Sequence, residues 1–480
     1  MWFHAKKESK QVSDKQSELK KTVIEGGYCI GCGACAMVKN SPFSIELNKI
    51  GQYQAVVNES DKVPEIATLE PQFVCPFSPE SKNEDQLAEP LFKGNCSHDK
   101  NVGFYKSCFA GFVDEGTFRA KGSSGGFGTW VLHELFDNDL VDHIIHVKEK
   151  KCAKSGGSLF EYSISSDTNE IKCGSKSRYY PIEMSQVLNI VRNNPGRYAI
   201  VGLPCFIKSI RLLQGIDKCI KERIRYCIGL VCGHLKSSNY SASLAWQAGI
   251  APEDITNVDF RIKSDKAANK YSTLLASKDK ESIIPTTELF GTDWGIGAFK
   301  YKACDFCDDV FAETADLVLG DAWLPNYVGD EKGTNIVVVR NDVLHDLVIN
   351  ARTQGRLVLD DLSIKQVTAS QDAGIRHRKG ALGYRLEMEK NKGNWIPTKR
   401  VLVGASTISS SEKARQLLRT QLRQTSHDSF QEALLTNDIN KYLDAMNPLY
   451  NKYKDIKGNY IERSGKFIKR VKSYLIRKLA

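Results

Sequence analysis

No stretch of this 480-residue sequence approaches 18 consecutive apolar residues, so a membrane-spanning helix is not expected. The first 21 residues, Met1 to Lys21, are rich in Lys, Glu, Ser and Gln and lack the apolar centre of a secretory signal. A cytoplasmic protein is therefore the expectation. Thiols in a reducing compartment bind metal or do redox chemistry more often than they pair as disulfides, and that is how the 14 cysteines are read. There is no internal repeat and no long low-complexity tract. The body also lacks a basic excess: residues 391–480 hold 18 Lys and Arg against 7 Asp and Glu, a net +11, whereas the whole chain is only +10. A nucleic acid is thus not expected as the partner of the first 390 residues.

With 41% hydrophobic and 26% charged residues, the chain has the composition of a folded protein of about two to four domains. A polar leader, 1–22, precedes a small Gly- and Cys-rich segment, 23–95. One hairpin is expected there around Gly51, and the charged stretch Glu80 to Glu89 reads as a linker. Apolar runs then alternate between strand and helix periods. Strands are expected at His143–Val147, Tyr198–Leu203, Arg225–Val231, Val258–Ile262, Leu317–Leu319 and Asn335–Val339. Helices are expected at Gly128–Phe136, Met184–Asn193, Phe206–Leu213, Ser241–Ala248 and Val343–Arg352. The alternation predicts an α/β body with a mixed, partly parallel sheet, divided here as 96–198 and 199–385, and a helical basic extension, 386–480.

The strongest motif is Cys29-Ile-Gly-Cys32-Gly-Ala-Cys35, followed 40 residues later by Cys75-Pro76. Three thiolates at this spacing wrap one face of an iron–sulfur cube, and Gly31, Gly33 and Ala34 let the backbone approach the sulfides. A two-cluster ferredoxin places a further cysteine where this chain has Lys39. One ferredoxin-like 4Fe-4S cluster, with Cys75 as fourth ligand, is the reading. Zinc is the alternative, although zinc ribbons favour two separated C-x-x-C pairs.

A second set is dispersed over Leu203-Pro204-Cys205, Cys232-Gly233-His234 and Cys304-Asp-Phe-Cys307. Cys205 and Cys232 follow strand-like runs, which puts them at strand carboxyl ends, where α/β sheets place ligands. On spacing alone, Cys304 and Cys307 suit a cluster, a zinc ion or a redox dithiol. The turn Gly122-Ser123-Ser124-Gly125-Gly126 leads into a helix and suits a nucleotide or flavin phosphate, with Gly125 leaving room for it. It matches neither G-x-G-x-x-G nor the P-loop, and a plain helix cap reads equally well. Gly174-Ser175-Lys176-Ser177-Arg178-Tyr179-Tyr180 adds cations and rings. At the C-terminus, Phe467, Ile468, Val471, Tyr474, Leu475 and Leu479 form an apolar stripe among Lys and Arg. That pattern suits either an anionic membrane surface or packing on the body.

In this order the motifs, with Gly202-Leu203-Pro204-Cys205 and Gly320-Asp321-Ala322-Trp323, resemble the beta-subunit family of coenzyme F420 hydrogenases and dehydrogenases. Its relatives include a ferredoxin-dependent 7-hydroxymethyl chlorophyll a reductase. The resemblance runs from about Tyr28 to Arg340. It implies FAD, held near Ser123, Ser124, Gly125, Gly126, Ser175 and Lys176, and a second 4Fe-4S cluster on Cys205, Cys232, Cys304 and Cys307. By motif position Asp321 and His234 become candidate proton donors. Two departures, Ser177-Arg178 before Tyr179 and Leu203 where the family usually has Thr, bear on the substrate pocket, and nothing residue-specific points to the deazaflavin coenzyme. The implied activity is an FAD- and iron–sulfur-dependent oxidoreductase exchanging electrons between a one-electron donor such as ferredoxin and an organic acceptor. An electron-transfer subunit of a larger complex and a zinc-stapled scaffold are the alternatives.

Overall fold

The computed structural model describes residues 18–57, 71–150 and 157–456. Residues 1–17 of the leader, Cys152 and the amphipathic stripe at Phe467–Leu479 lie outside the described residues; the end of the expected leader, residues 18–22, is helical and buries Leu19 in the core.

Among the described residues, fifteen strands form four sheets. The Cys-rich segment carries a hairpin, β1 (Phe43–Leu47) and β2 (Tyr53–Val57), turned at Gly51 as expected. A smaller hairpin pairs β3 (Ser97–Asp99) with β4 (Gly103–Tyr105). The body is an eight-stranded mixed sheet built from β5 (Ser107–Val113), β6 (His143–Glu149), β7 (Phe160–Ser165), β8 (Tyr198–Gly202), β9 (Ile224–Leu230), β13 (Leu317–Asp321), β14 (Asn335–Val339) and β15 (Leu357–Asp361). Its order is β15-β5-β14-β13-β9-β8-β6-β7. The central run β13-β9-β8-β6 is parallel, and antiparallel pairs flank it on both sides. The run at Val258–Ile262 is a strand but not part of this sheet. It is β10 (Asn257–Ile262), which pairs with β11 (Ser272–Ala276) and then β12 (Glu281–Pro285) in a separate meander.

Side chains alternate faces along a strand, and the central strands are apolar on both. Ile144, Ala199, Ile228, Leu317 and Val337 enter one core, where they meet Trp130, Leu344 and Val348 from the helices Phe127–Asp137 and Asp342–Thr353. Their neighbours Ile145, Ile200, Cys227, Val318 and Ile336 enter the other, which holds Leu188 and Ile207 and continues into Tyr28, Ile30 and Met37 of the Cys-rich segment. A sheet buried on both faces reads as near-continuous apolar runs, which is why these strands were recognisable.

The charged stretch 80–89 is not a linker. Asn83 closes a capping box on the helix Glu84–Phe92, whose buried Glu84 meets Lys208 at 3.1 Å. Arg400 reaches Glu84 at 3.5 Å, Asp308 at 3.2 Å and Glu313 at 2.6 Å. Buried charges persist where they are paired, so this network fastens residues from both sides of the body to it. The region past 383 is helical, with Leu382–Asn391, Ser410–Thr436 and a helix over 440–456.

Candidate functional site

The first cysteine set is shaped by two glycines. Gly31 has φ +65° and Gly33 φ +91°, a region that suits glycine. A Cβ on Gly31 would stand 2.3 Å from the Tyr53 carbonyl oxygen, and one on Gly33 would stand 2.7 Å from the Ser185 nitrogen. The loop is thereby wound tightly against the hairpin and the helix Ser185–Asn193. Cys29 Sγ accepts the backbone N–H groups of Gly31 and Ala55, both at 3.4 Å. Burial pushes the Cys32 thiol up to about 11 and Cys75 up to about 12. Cys35 is raised well above the ordinary thiol, by burial first and then by the charges of Cys32, Cys29 and Cys75. The four thiols are thus electrostatic neighbours in a site where thiolates need cations to be tolerated.

The second set gathers at the carboxyl edge of the parallel strands. β8 runs into Leu203-Pro204-Cys205 at the start of the helix Pro204–Gln214, and its neighbour β9 runs through Val231 into Cys232. Cys304 and Cys307 come from the short helix Lys302–Phe306 and the residue after it. All four line one small cavity, with Leu203, Pro204, Leu235, Arg378, Ile30 and Phe77. Ile30 and Phe77 belong to the first set's loops, so the two sets adjoin. Cys205 carries the same message. Its thiol is raised by burial and then by Cys307, Cys232, Cys304 and, from the first set, Cys32. Leu235 donates its backbone N–H to Cys304 Sγ at 3.3 Å.

Arg378, which sequence reasoning did not single out, is buried against the second set. It donates to Cys307 Sγ at 3.3 Å and Cys232 Sγ at 3.6 Å, and its Nη2 is also held by the Gly233 carbonyl at 2.6 Å. Cys96, Cys108, Cys173, Cys219 and Cys227 do not line the cavity. Among the described residues no three His, Cys, Asp or Glu side chains are drawn together closely enough to hold a single metal ion.

The turn at residues 122–126 stands at the same edge. β5 is antiparallel to β14, which is antiparallel to β13, so β5 points the same way as the parallel strands. Its side chains serve the turn itself. Ser124 Oγ donates to the Thr334 carbonyl, Ser123 Oγ accepts from the Ser177 N–H at 2.9 Å, and Asn335 Oδ1 accepts the Phe127 N–H. Gly125 does not leave its room to a ligand. A Cβ there would lie 2.7 Å from the Gly111 carbonyl oxygen and 2.9 Å from the Asn335 nitrogen, so its smallness lets the turn lie on the sheet. Ser175 Oγ reaches the Lys121 carbonyl at 3.5 Å.

Cations surround this turn. Lys176 pairs with Asp259 at 3.1 Å, Arg261 with Asp321 at 2.8 Å, and Arg119 with Asp330. Lys263 joins them and donates to the Ser124 carbonyl at 2.8 Å. Burial, followed by Arg119, Lys176 and Arg261, pushes its ammonium down to about 8. That crowding of positive charge fits a phosphate-bearing group. The pairing of Asp321 commits its carboxylate to Arg261. His234 is buried with Nε2 unpartnered, and burial followed by Lys236 holds its pKa well below the ordinary value. Its ring lies 4.3 Å from that of Trp294, which lies 4.8 Å from Tyr179. A chain of rings therefore joins the Cys232 loop to the loop bearing Lys176.

Two family profiles match this chain: the N-terminal part of the coenzyme F420 hydrogenase/dehydrogenase beta subunit over residues 108–189, and its C-terminal part over residues 196–365. An uncharacterised protein of Methanocaldococcus jannaschii is 24% identical over 357 residues, 67% of this chain and 86% of that one. The coenzyme F420-dependent sulfite reductase of the same organism is 22% identical over 335 residues, 67% of this chain but 45% of that longer protein. A chain of the F420-reducing [NiFe] hydrogenase complex from Methanosarcina barkeri superposes with a TM-score of 0.46 at 14% identity, over 61% of this chain and 96% of that one. The two profiles together span more than half of the sequence, and the chain belongs to the coenzyme F420 hydrogenase/dehydrogenase beta-subunit family, a family of electron-transfer oxidoreductase subunits.

Proposed function

We propose that this chain is an iron–sulfur flavoprotein that passes electrons between a one-electron donor such as ferredoxin and an organic acceptor. The single observation that carries this reading is the adjacency of the two cysteine sets, with Cys205 coupled both to its own set and to Cys32. When bound, 4Fe-4S clusters would carry one electron each, and FAD would exchange them in pairs as a hydride equivalent. Cys29, Cys32, Cys35 and Cys75 would hold the first cluster, and Cys205, Cys232, Cys304 and Cys307 the second.

The residues fit those groups. Each set is thiol-rich and buried or half-buried, Cys29 and Cys304 accept backbone N–H groups, and Arg378 gives the second set a compensating charge. Lys176, Lys263, Arg119 and Arg261 supply cations for the flavin phosphates. Ser123, Ser124, Gly125, Gly126 and Ser175 would shape that pocket, through backbone positions more than through free hydroxyls. Asp321 orients Arg261, and neither it nor the neutral His234 is assigned a proton. Family membership sets the zinc scaffold aside. It favours equally a beta subunit working inside a larger hydrogenase or dehydrogenase complex.

Anaerobic stopped-flow reduction of the flavin by reduced ferredoxin tests the proposal. Rapid flavin bleaching in the isolated holoprotein, slowed in Cys304→Ala while FAD is retained, is the expected result. Bleaching at an unchanged rate in Cys304→Ala would remove the second set from the relay. A holoprotein inert to every one-electron donor until a partner subunit is added would favour the complex-bound reading.

A further inference from the structure

Arg378 is an unusual residue to find against thiols. Its guanidinium is fixed on both sides: Nη1 donates to Cys307 Sγ at 3.3 Å, while Nη2 donates to Cys232 Sγ at 3.6 Å and to the Gly233 carbonyl at 2.6 Å. The side chain is 2% exposed, and no carboxylate pairs with it among the described residues. A buried cation without a carboxylate is costly unless something anionic lies beside it. Besides the backbone carbonyls of Asp309 and Gly233, the groups beside it are the sulfurs. The residue comes from the short π-helix Arg376–Gly380, beyond residue 365 where the family match ends.

We infer that Arg378 sets the reduction potential of the second cluster, a role resting on the reading that Cys205, Cys232, Cys304 and Cys307 hold one. Reduction adds a negative charge to a cluster. A fixed cation donating hydrogen bonds to two ligand sulfurs stabilises the reduced state more than the oxidised one and raises the potential, since net charge and hydrogen bonds to sulfur are among its controls. Among the described residues no charged side chain donates to a sulfur of the first set, whose donors are neutral: the Ser209 hydroxyl at Cys32 and backbone N–H groups such as those of Gly31 and Ala55 at Cys29. The two clusters would therefore be separated in potential, the second being the easier to reduce, which sends electrons from the Cys29 set toward the Cys205 set.

The test is an anaerobic redox titration of the purified holoprotein followed by electron paramagnetic resonance, comparing wild type with Arg378→Gln and Arg378→Lys. In Arg378→Gln the reduced-to-oxidised ratio of the second cluster at fixed ambient potential should fall at least about tenfold, about 59 mV for one electron, with the first cluster unmoved. Arg378→Lys, which keeps the charge, should recover most of that ratio. A second-cluster potential unchanged in Arg378→Gln overturns the inference while leaving the cluster assignment standing. Iron content unchanged in Cys304→Ala overturns the assignment itself, and the inference with it. Should Arg378→Gln fail to retain the cluster, wild-type protein made with nitrogen-15 guanidinium arginine decides. Nitrogen hyperfine coupling at one reduced cluster only supports the inference, and its absence from both overturns it.

Discussion

The thiol of Cys205 feels the charge of Cys32, a residue of the other cysteine set. Their loops meet through Ile30 and Phe77, which line the same cavity as Cys205. On the proposed reading, two reduced, paramagnetic clusters held by such neighbouring loops would interact magnetically. The fully reduced protein should therefore give a broadened resonance spectrum that is not the sum of two independent signals. Cys205→Ala should collapse it to the plain spectrum of the first cluster. A wild-type spectrum that is a simple sum would place the clusters too far apart for direct exchange.

Gly125 gives a second prediction. Because a Cβ there would collide with the backbone of Gly111 and Asn335, Gly125→Ala should cost about 1–3 kcal/mol as overpacking. The loss should appear in the apoprotein as a lower Tm, before any flavin is involved. If Gly125→Ala leaves apoprotein stability intact and lowers only FAD affinity, the residue faces the ligand after all.

His146 predicts a pH dependence. It is buried beneath the loop 174–180: its Nε2 meets Ser165 Oγ at 2.7 Å, and a Cβ on Gly174 would touch its Nδ1. Burial, then Lys148, pushes its pKa down to about 4. The native state resists a proton that the unfolded chain accepts near 6.5. The stability is fully present above about pH 6.5 and lost as pH falls toward 4, at up to about 1.4 kcal/mol per pH unit. Denaturant titrations of His146→Gln should show a shallower acid slope than wild type between those values. Parallel slopes would mean that His146 is not held neutral.

What could be read from the sequence was local. Cys29, Cys32 and Cys35 announce themselves by spacing, and Cys205 and Cys232 by following apolar strands whose two-faced burial left near-continuous apolar runs. Arg378 could not be found that way, since its partner Cys232 is 146 residues distant and a basic residue in a polar stretch gives no sign of burial. Glu84 read as part of a solvated linker for the same reason: its partners Lys208 and Arg400 are supplied only by the fold. β5 and β15 escaped notice because β5 carries a glycine, Gly111, where β15 crosses it, and their pairing is a long-range fact. At the turn 122–126, residue types suggested a phosphate site, but hydroxyls and glycines serve the packing of a turn equally well. Lys263, the cation beside that turn, lies 139 residues from Ser124.

The most direct test of the account is iron and acid-labile sulfide per chain in anaerobically prepared holoprotein, wild type against Cys75→Ala and Cys205→Ala. The account predicts about eight iron atoms in wild type and about four in each variant, each variant losing a different cluster. Iron near four in wild type and unchanged in Cys205→Ala, with the flavin still bound, would contradict it.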